Sequence, residues 1–354
     1  MLIDWLSLKL SRDKLPEWPG WDLLAGHGDR VCRVCARTGD VRWTVAAWDS
    51  VRSDSHQVAV QATEHFLRIQ GSPGRVVGHG DAVFGFGSAT RDVSHCADQM
   101  IAFVVRILGL PSAPPLYLFT CSRIDITCNY DLGSVANVRV ALAELRSIEG
   151  GRYRVSQVSG DTVYWSKSSK RKSGKAYSKG PHLHYLMREP KYSGYRYSES
   201  DLLSSERLLR LELRLGSKYF YDLRSQRVNW FELKWDHWIA EFDAYFGRMI
   251  GDAEVLDMTS LIDRLLQLPD PRRPGALMSK ALANSVYRTW SSITTLGWQA
   301  TREVMPTNTW YTHVRLLKAV GFSDGDISAG KVISFRKRVI MNPVSSWSEL
   351  RKCA

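Results

Sequence analysis

LYLFTCSRIDITCNY, residues 116–130, is the stretch whose reading decides the fold. Ile124, Ile126 and Cys128 fall on one face of an extended chain, and Arg123, Asp125, Thr127 and Asn129 fall on the other. A strand with one apolar side and one polar side reads as half-buried. A carboxylate in mid-strand is costly unless it is solvated, paired or bound to a cation. Arg123, two residues away on the same face, is its ready partner.

Outward from that strand the same alternation recurs. ERLLRLELRLG (206–216) turns Leu209, Leu211, Leu213 and Leu215 one way and Arg210, Glu212 and Arg214 the other. Leu, Arg and Glu also favour helix, but strict alternation argues for strand. DTVYWSKSSKRKSGKAYSKG (161–180) reads as a hairpin with a hydrophilic tip. Its return strand is expected to place Lys175, Tyr177 and Lys179 on one face. The six Lys or Arg residues between Ser166 and Gly180 face no acid in that stretch. A tyrosine flanked by lysines beside such a tip is a place to hold and attack a phosphodiester, and a solvated basic hairpin is the plainer alternative.

Towards the amino end, MLIDWLSLKL reads as a first strand with Leu6, Leu8 and Leu10 on one side. It has an acid inside its apolar run and no basic leader, which argues against a signal peptide. Further strands are expected at 41–48, 56–62 and 65–70, and a helix at 94–108 capped by Ser94. A second helix is expected at 134–148. The glycine-rich run 71–88 lacks the GxxxxGK[ST] pattern of a triphosphate loop. Residues 182–201, polar and tyrosine-rich, read as a loop. Beyond residue 226 the pattern becomes helical, at 229–246, 258–268, 279–296 and 307–319. The expected division is therefore 1–226 and 227–354.

Over 354 residues the net charge is +12, with 13 Trp and 14 Tyr. Such a chain favours a polyanionic partner and offers flat rings on which unpaired bases stack. No apolar run approaches the roughly 18 residues of a membrane span. Of six cysteines only Cys32 and Cys35 form a CxxC, and no second pair lies nearby. They read as reduced cysteines of a cytoplasmic protein. Asp125 and Glu212, from two strands, could hold Mg²⁺ or Mn²⁺ through oxygen while the Tyr177 hydroxyl attacks phosphorus.

The stretches GHGDAVFG, SRIDIT, DTVYWSKSSKRKSGKAYSKGPHL and LLRLELRLGSKYF, in this order, resemble the replication initiation proteins of filamentous phages, the gene II protein type. TNTWYTHVRLLKAVGFSDGDIS resembles that family's carboxy-terminal helical segment. The resemblance implies an α+β fold, an antiparallel sheet with packed helices related to the HUH endonucleases, followed by an all-helical region. It implies a nicking and strand-rejoining enzyme for rolling-circle replication, acting in the host cytoplasm. Its partners would be phage origin DNA, single- and double-stranded, and host helicase and polymerase, with no membrane.

The position matching the family's cleaving tyrosine is Tyr177, and Lys179 matches the lysine of the same motif. Asp125 and Glu212 match acidic motif positions, and metal ligation by them is inferred from chemistry. Arg123, Lys167, Lys170, Arg171, Lys172, Lys175 and Arg210 are the expected DNA contacts. The third metal ligand stays open among His79, Asp81, His182 and His184, and a second tyrosine could be Tyr164 or Tyr185. The competing reading is a non-catalytic regulator that binds single-stranded or origin DNA.

Overall fold

Alternation in 116–130 becomes β7 (Thr120–Asp131), the longest strand, in the middle of an antiparallel sheet. The computed structural model describes residues 1–52, 57–77, 81, 83–85, 90–146, 160–188, 195–250, 258–330 and 343–352. In chain order the strands are β1 (Leu2–Ser11), β2 (Arg30–Val34), β3 (Val41–Ala46), β4 (Asp49–Arg52), β5 (Gln57–Ala62) and β6 (Phe66–Gly71). After β7 come β8 (Thr162–Trp165), β9 (Lys172–Ser178), β10 (Leu208–Leu215) and β11 (Pro343–Val344). The sheet order is β4-β5-β6-β1-β7-β10-β9-β8, with β11 pairing the end of β7. β2 and β3 form a separate hairpin.

The dry face is built from the alternate residues the sequence marks. Ile124, Ile126, Leu209, Leu211, Leu213, Leu215, Val163 and Trp165 are buried with Leu6, Leu8 and Leu10 of β1. Helices Val93–Ile107, Val135–Arg146 and Trp235–Ile250 cover them, contributing Met100, Leu142, Trp238 and Phe242 among others. Each fully buried Leu or Ile there contributes about 1.5–3 kcal/mol. Gly174 of β9 lies where a Cβ would come within 2.6 Å of the Tyr245 ring, so the hairpin closes on helix Trp235–Ile250 only without a side chain there.

The structure is α+β, an antiparallel sheet with packed helices and a helical carboxy-terminal region, as expected. Across the expected 226/227 boundary, helix Trp235–Ile250 packs into the sheet's core, and β11 with helix Trp347–Lys352 returns to the sheet and its neighbours. The unit with its own core runs over 258–330, around Leu265, Val286, Trp290, Trp310 and Leu317. Three details need correction.

Helix Val93–Ile107 is capped by Asp92, whose carboxylate accepts the His95 amide at 3.0 Å, rather than by Ser94. Ser94 instead donates to the Phe231 carbonyl. The expected loop at 182–201 is overlapped by helices Lys179–Arg188 and Glu199–Ser205. Leu183, Leu186 and Met187 recur at helical spacing and pack with Val83, Phe84 and Leu208, and this apolar contact outweighs the polar composition. Finally, the expected strand 41–48 ends at Ala46 and pairs only with β2.

Candidate functional site

Residues directly opposite in an antiparallel ladder share a face. The register sets Tyr177 of β9 against Arg210 of β10, and Arg210 against Asn129 of β7. One step along, Lys175, Glu212 and Thr127 form the next row, followed by Ser173, Arg214 and Asp125. The polar sides of three adjacent strands therefore form one surface that carries Tyr177, Lys175, Arg210, Glu212 and Asp125.

Arg210 is the hub of this surface. It is fully buried, and its Nε donates to Asn129 Oδ1 at 2.7 Å and its Nη2 to the Val83 carbonyl at 2.5 Å. Nη1 lies 3.5 Å from Asp4 Oδ1, and the Tyr177 hydroxyl faces the guanidinium. Arg210, expected as a DNA contact, is fully buried here and orders the groups around it. The Asn129 amide also donates to Val83 O at 2.7 Å, which ties residues 83–85 down over this end of the face.

Burial raises the Tyr177 phenol above its ordinary pKa, against the pull of Arg210, while Glu212 and Asp4 push the same way as burial. Lys175 Nζ stands 4.0 Å from the Tyr177 ring centroid and 3.5 Å from Glu212 Oε2. β9 stops at Ser178, so Lys179 opens helix Lys179–Arg188 instead of continuing the strand. It stays beside the tyrosine nonetheless, with Nζ 5.7 Å from the ring centroid and 3.4 Å from His182 Nδ1. Lys179 is 1% exposed; burial, then the positive charge of Arg210, hold its pKa well below the ordinary lysine value. The Tyr177 side chain is itself buried, so a phosphodiester reaches it only when covering groups move aside.

Asp125 is bound by Arg123, through Nε at 2.8 Å and through Nη2. Burial raises its pKa; the Arg123 bond opposes this, and the negative charges of Glu212 and Asp4 add to it. Mutual repulsion between Asp125 and Glu212 is what a divalent cation relieves. Mg²⁺ commonly takes one or two carboxylates and completes its shell with water and substrate phosphate. Asp125 and Glu212 are oxygen donors of the kind such an ion takes, and at present Arg123 and Lys175 neutralise them. Among the described residues no group of three or more His, Cys, Asp or Glu stands ready to hold a metal.

His79 lies outside the described residues. Asp81 is engaged elsewhere, accepting from the Val83 amide, the Tyr197 hydroxyl and Trp347 Nε1. His184 pairs with Glu206. His182 and His184 lie on a helix, two residues apart and so on different faces.

The remaining basic positions lie at the hairpin's far end. Lys172 pairs with Glu241, Arg171 lies 3.4 Å from Asp222, and Lys167 sits 4.8 Å from the Tyr164 ring centroid. At about 3.4 Å per residue, Lys172 is roughly 17 Å along β9 from Tyr177. Tyr164 faces Lys175 across the ladder, on the tyrosine's side of the sheet, whereas Tyr185 is exposed on a helix. Sequence reasoning missed Asp4, the acid opposite Arg210. Its signal was visible as the single acid in the apolar run of β1.

A cation-flanked tyrosine and two acids thus share one largely covered face of the sheet. Residues 2–234 match the family described as the N-terminal part of the replication-associated gene II protein, and the chain belongs to that family. No curated protein matches it. Among solved structures, a rolling circle replication initiator protein from Geobacillus stearothermophilus is similar at 8% identity over 80% of this chain and 94% of that one. Its TM-score is 0.29, too low to bear on function. No helix among the described residues is long and apolar enough to cross a membrane.

Proposed function

We propose that this replication-associated protein nicks one strand of a phage origin and later rejoins it, acting on DNA in the host cytoplasm. The supporting observation is the convergence of Tyr177, Lys175, Lys179 and Arg210 with two carboxylates on one sheet face. In the nicking step the phenolic oxygen bonds to phosphorus and the P–O3′ bond breaks. The phenolic proton passes to Lys179, whose depressed pKa leaves it a competent base, and then to the departing 3′ oxygen.

Lys175 offsets the charge that builds on the phosphoryl oxygens. The product is a 5′ phosphotyrosine and a free 3′ hydroxyl for a host polymerase. Because the phosphotyrosine ester keeps the phosphodiester's energy, attack by a 3′ hydroxyl reverses the step without ATP. Asp125 and Glu212 would hold Mg²⁺ or Mn²⁺, which when bound polarises a phosphate oxygen. The basic tip, Lys167, Lys170, Arg171 and Lys172, would track the strand away from the scissile bond.

Tyr177→Phe removes one oxygen and keeps the ring that Lys175 stacks on. With an origin plasmid, wild-type protein is expected to give nicked circles and a covalent protein–DNA adduct, and chelation to abolish both. The variant should bind the same DNA within about threefold and give neither product. Full nicking by Tyr177→Phe would end the assignment. DNA binding by wild type with no adduct under any cation would favour the non-catalytic regulator.

A further inference from the structure

The β2–β3 hairpin takes no part in the surface described above. All of Arg30–Val34 is exposed, and Val31, Val34, Val41 and Val45 are about half exposed although they pair with one another across the ladder. At its tip the chain folds into a tight knuckle. The Cys35 amide donates to Asp40 O and the Gly39 amide to Cys35 O, each at 2.8 Å, and Gly39 takes φ +75°. Cys32, on β2, and Cys35, at the start of the knuckle, are both free thiols.

The knuckle turns its hydrogen-bond donors toward the Cys35 sulfur. Cys35 Sγ receives the hydroxyl and amide of Thr38, the amide of Arg37 and, at 3.6 Å, the Arg42 guanidinium. Cys32 Sγ lies 3.2 Å from Thr44 Oγ1. N–H donors converging on a cysteine sulfur are the outer contacts of a structural thiolate–metal centre. Two thiolates are half of the tetrahedral set that zinc requires. This chain does not supply the rest among its described residues. Cys96, Cys121 and Cys128 are buried elsewhere, and no third His, Cys, Asp or Glu joins the pair.

We propose that Cys32 and Cys35 form half of a zinc site completed by the same two cysteines of a second copy, so that one Zn²⁺ joins two chains at their hairpin tips. Each bound thiol loses its proton on ligation. The four-thiolate centre carries two net negative charges, which Arg30, Arg33, Arg37 and Arg42 of the two hairpins offset; without the metal those arginines repel. The half-exposed valines then face a like surface. Soft thiolate ligands select zinc over the hard cation suited to Asp125 and Glu212, so the two metals occupy separate places.

The test uses the full chain, reduced, with Zn²⁺ titrated in. Bound metal is assayed chemically and mass by sedimentation. Expected are about one zinc per two chains, a doubling of mass that chelation reverses, and thiolate charge-transfer bands with Co²⁺. Cys32→Ser and Cys35→Ser should lose metal and dimer while melting at the temperature of the metal-free wild-type chain. The chelation arm needs no variant, so a misfolded mutant does not protect the idea. Absence of zinc, one zinc per monomer, or zinc loss in Cys353→Ser would overturn it. Loss of DNA affinity in the cysteine variants with no change of mass would overturn it in favour of a DNA contact. None of these readouts depends on nicking.

Discussion

Replacing Arg210 by Met tests whether the polar face is organised as described. The guanidinium bonds Asn129 Oδ1 and Val83 O, pairs with Asp4 and faces the Tyr177 hydroxyl, with no solvent exposure. Breaking a buried ionic pair typically costs 3–5 kcal/mol, on the order of what is expected here. Each orphaned acceptor adds about 1–3 kcal/mol in isolation. Asp4 is one-fifth exposed and recovers some hydration, and Asn129 still donates to Val83, so the contributions do not sum. About 4 kcal/mol is the expected net loss, equivalent to a fall of roughly 10 °C in melting temperature.

The assay is urea unfolding with amide exchange read separately in β7 and β10, beside Asp4→Asn and the double variant. Asp4→Asn alone should cost about 1 kcal/mol, and the double variant should lose less than the sum. A melting temperature within about 2 °C of wild type, or strict additivity, would refute the hub.

Asp125→Asn should change how stability responds to pH. Because its pKa is raised in the folded state, folded Asp125 keeps a proton that the unfolded chain has already released. Stability is therefore full below the ordinary carboxylate range and falls as pH rises through the raised value. The Asn variant should flatten that slope in urea midpoints taken from about pH 4 to about pH 8, and parallel curves would refute the reasoning. Trp347→Ala removes an indole that donates to Asp81 Oδ2 at 3.0 Å and meets the Phe84 ring edge-on at 5.0 Å. It should cost about 2 kcal/mol and speed amide exchange at Val83–Gly85; unchanged exchange there would show that helix Trp347–Lys352 does not hold that segment.

Alternation made β7 and β10 legible because one side of each strand is dry from end to end. It also gave the polar residues of each strand, including Asp125, Arg210 and Glu212. Register was not legible, since nothing local says that Arg210 lies between Tyr177 and Asn129. Nor was burial of the polar side. Period two separates faces without saying what covers them, so Arg210 read as a surface cation. The Lys179–Arg188 helix was hidden by Gly180 and Pro181, ordinarily breakers. Here Pro181 sits in the first turn, where its missing N–H does no harm, and Gly180 lets the helix approach Glu206, whose Cα would lie 2.7 Å from an added Cβ. Asp4 was in plain view, but an acid in an apolar run announces only that something must neutralise it.

The sheet tapers. β7 spans twelve residues, whereas the flanking strands β4 and β8 span four each. A short rim leaves few unpaired amides to template a neighbouring molecule's backbone. Lengthening either rim by a few β-branched residues should promote edge-to-edge filament growth, read by sedimentation; an unchanged sedimentation profile would refute it.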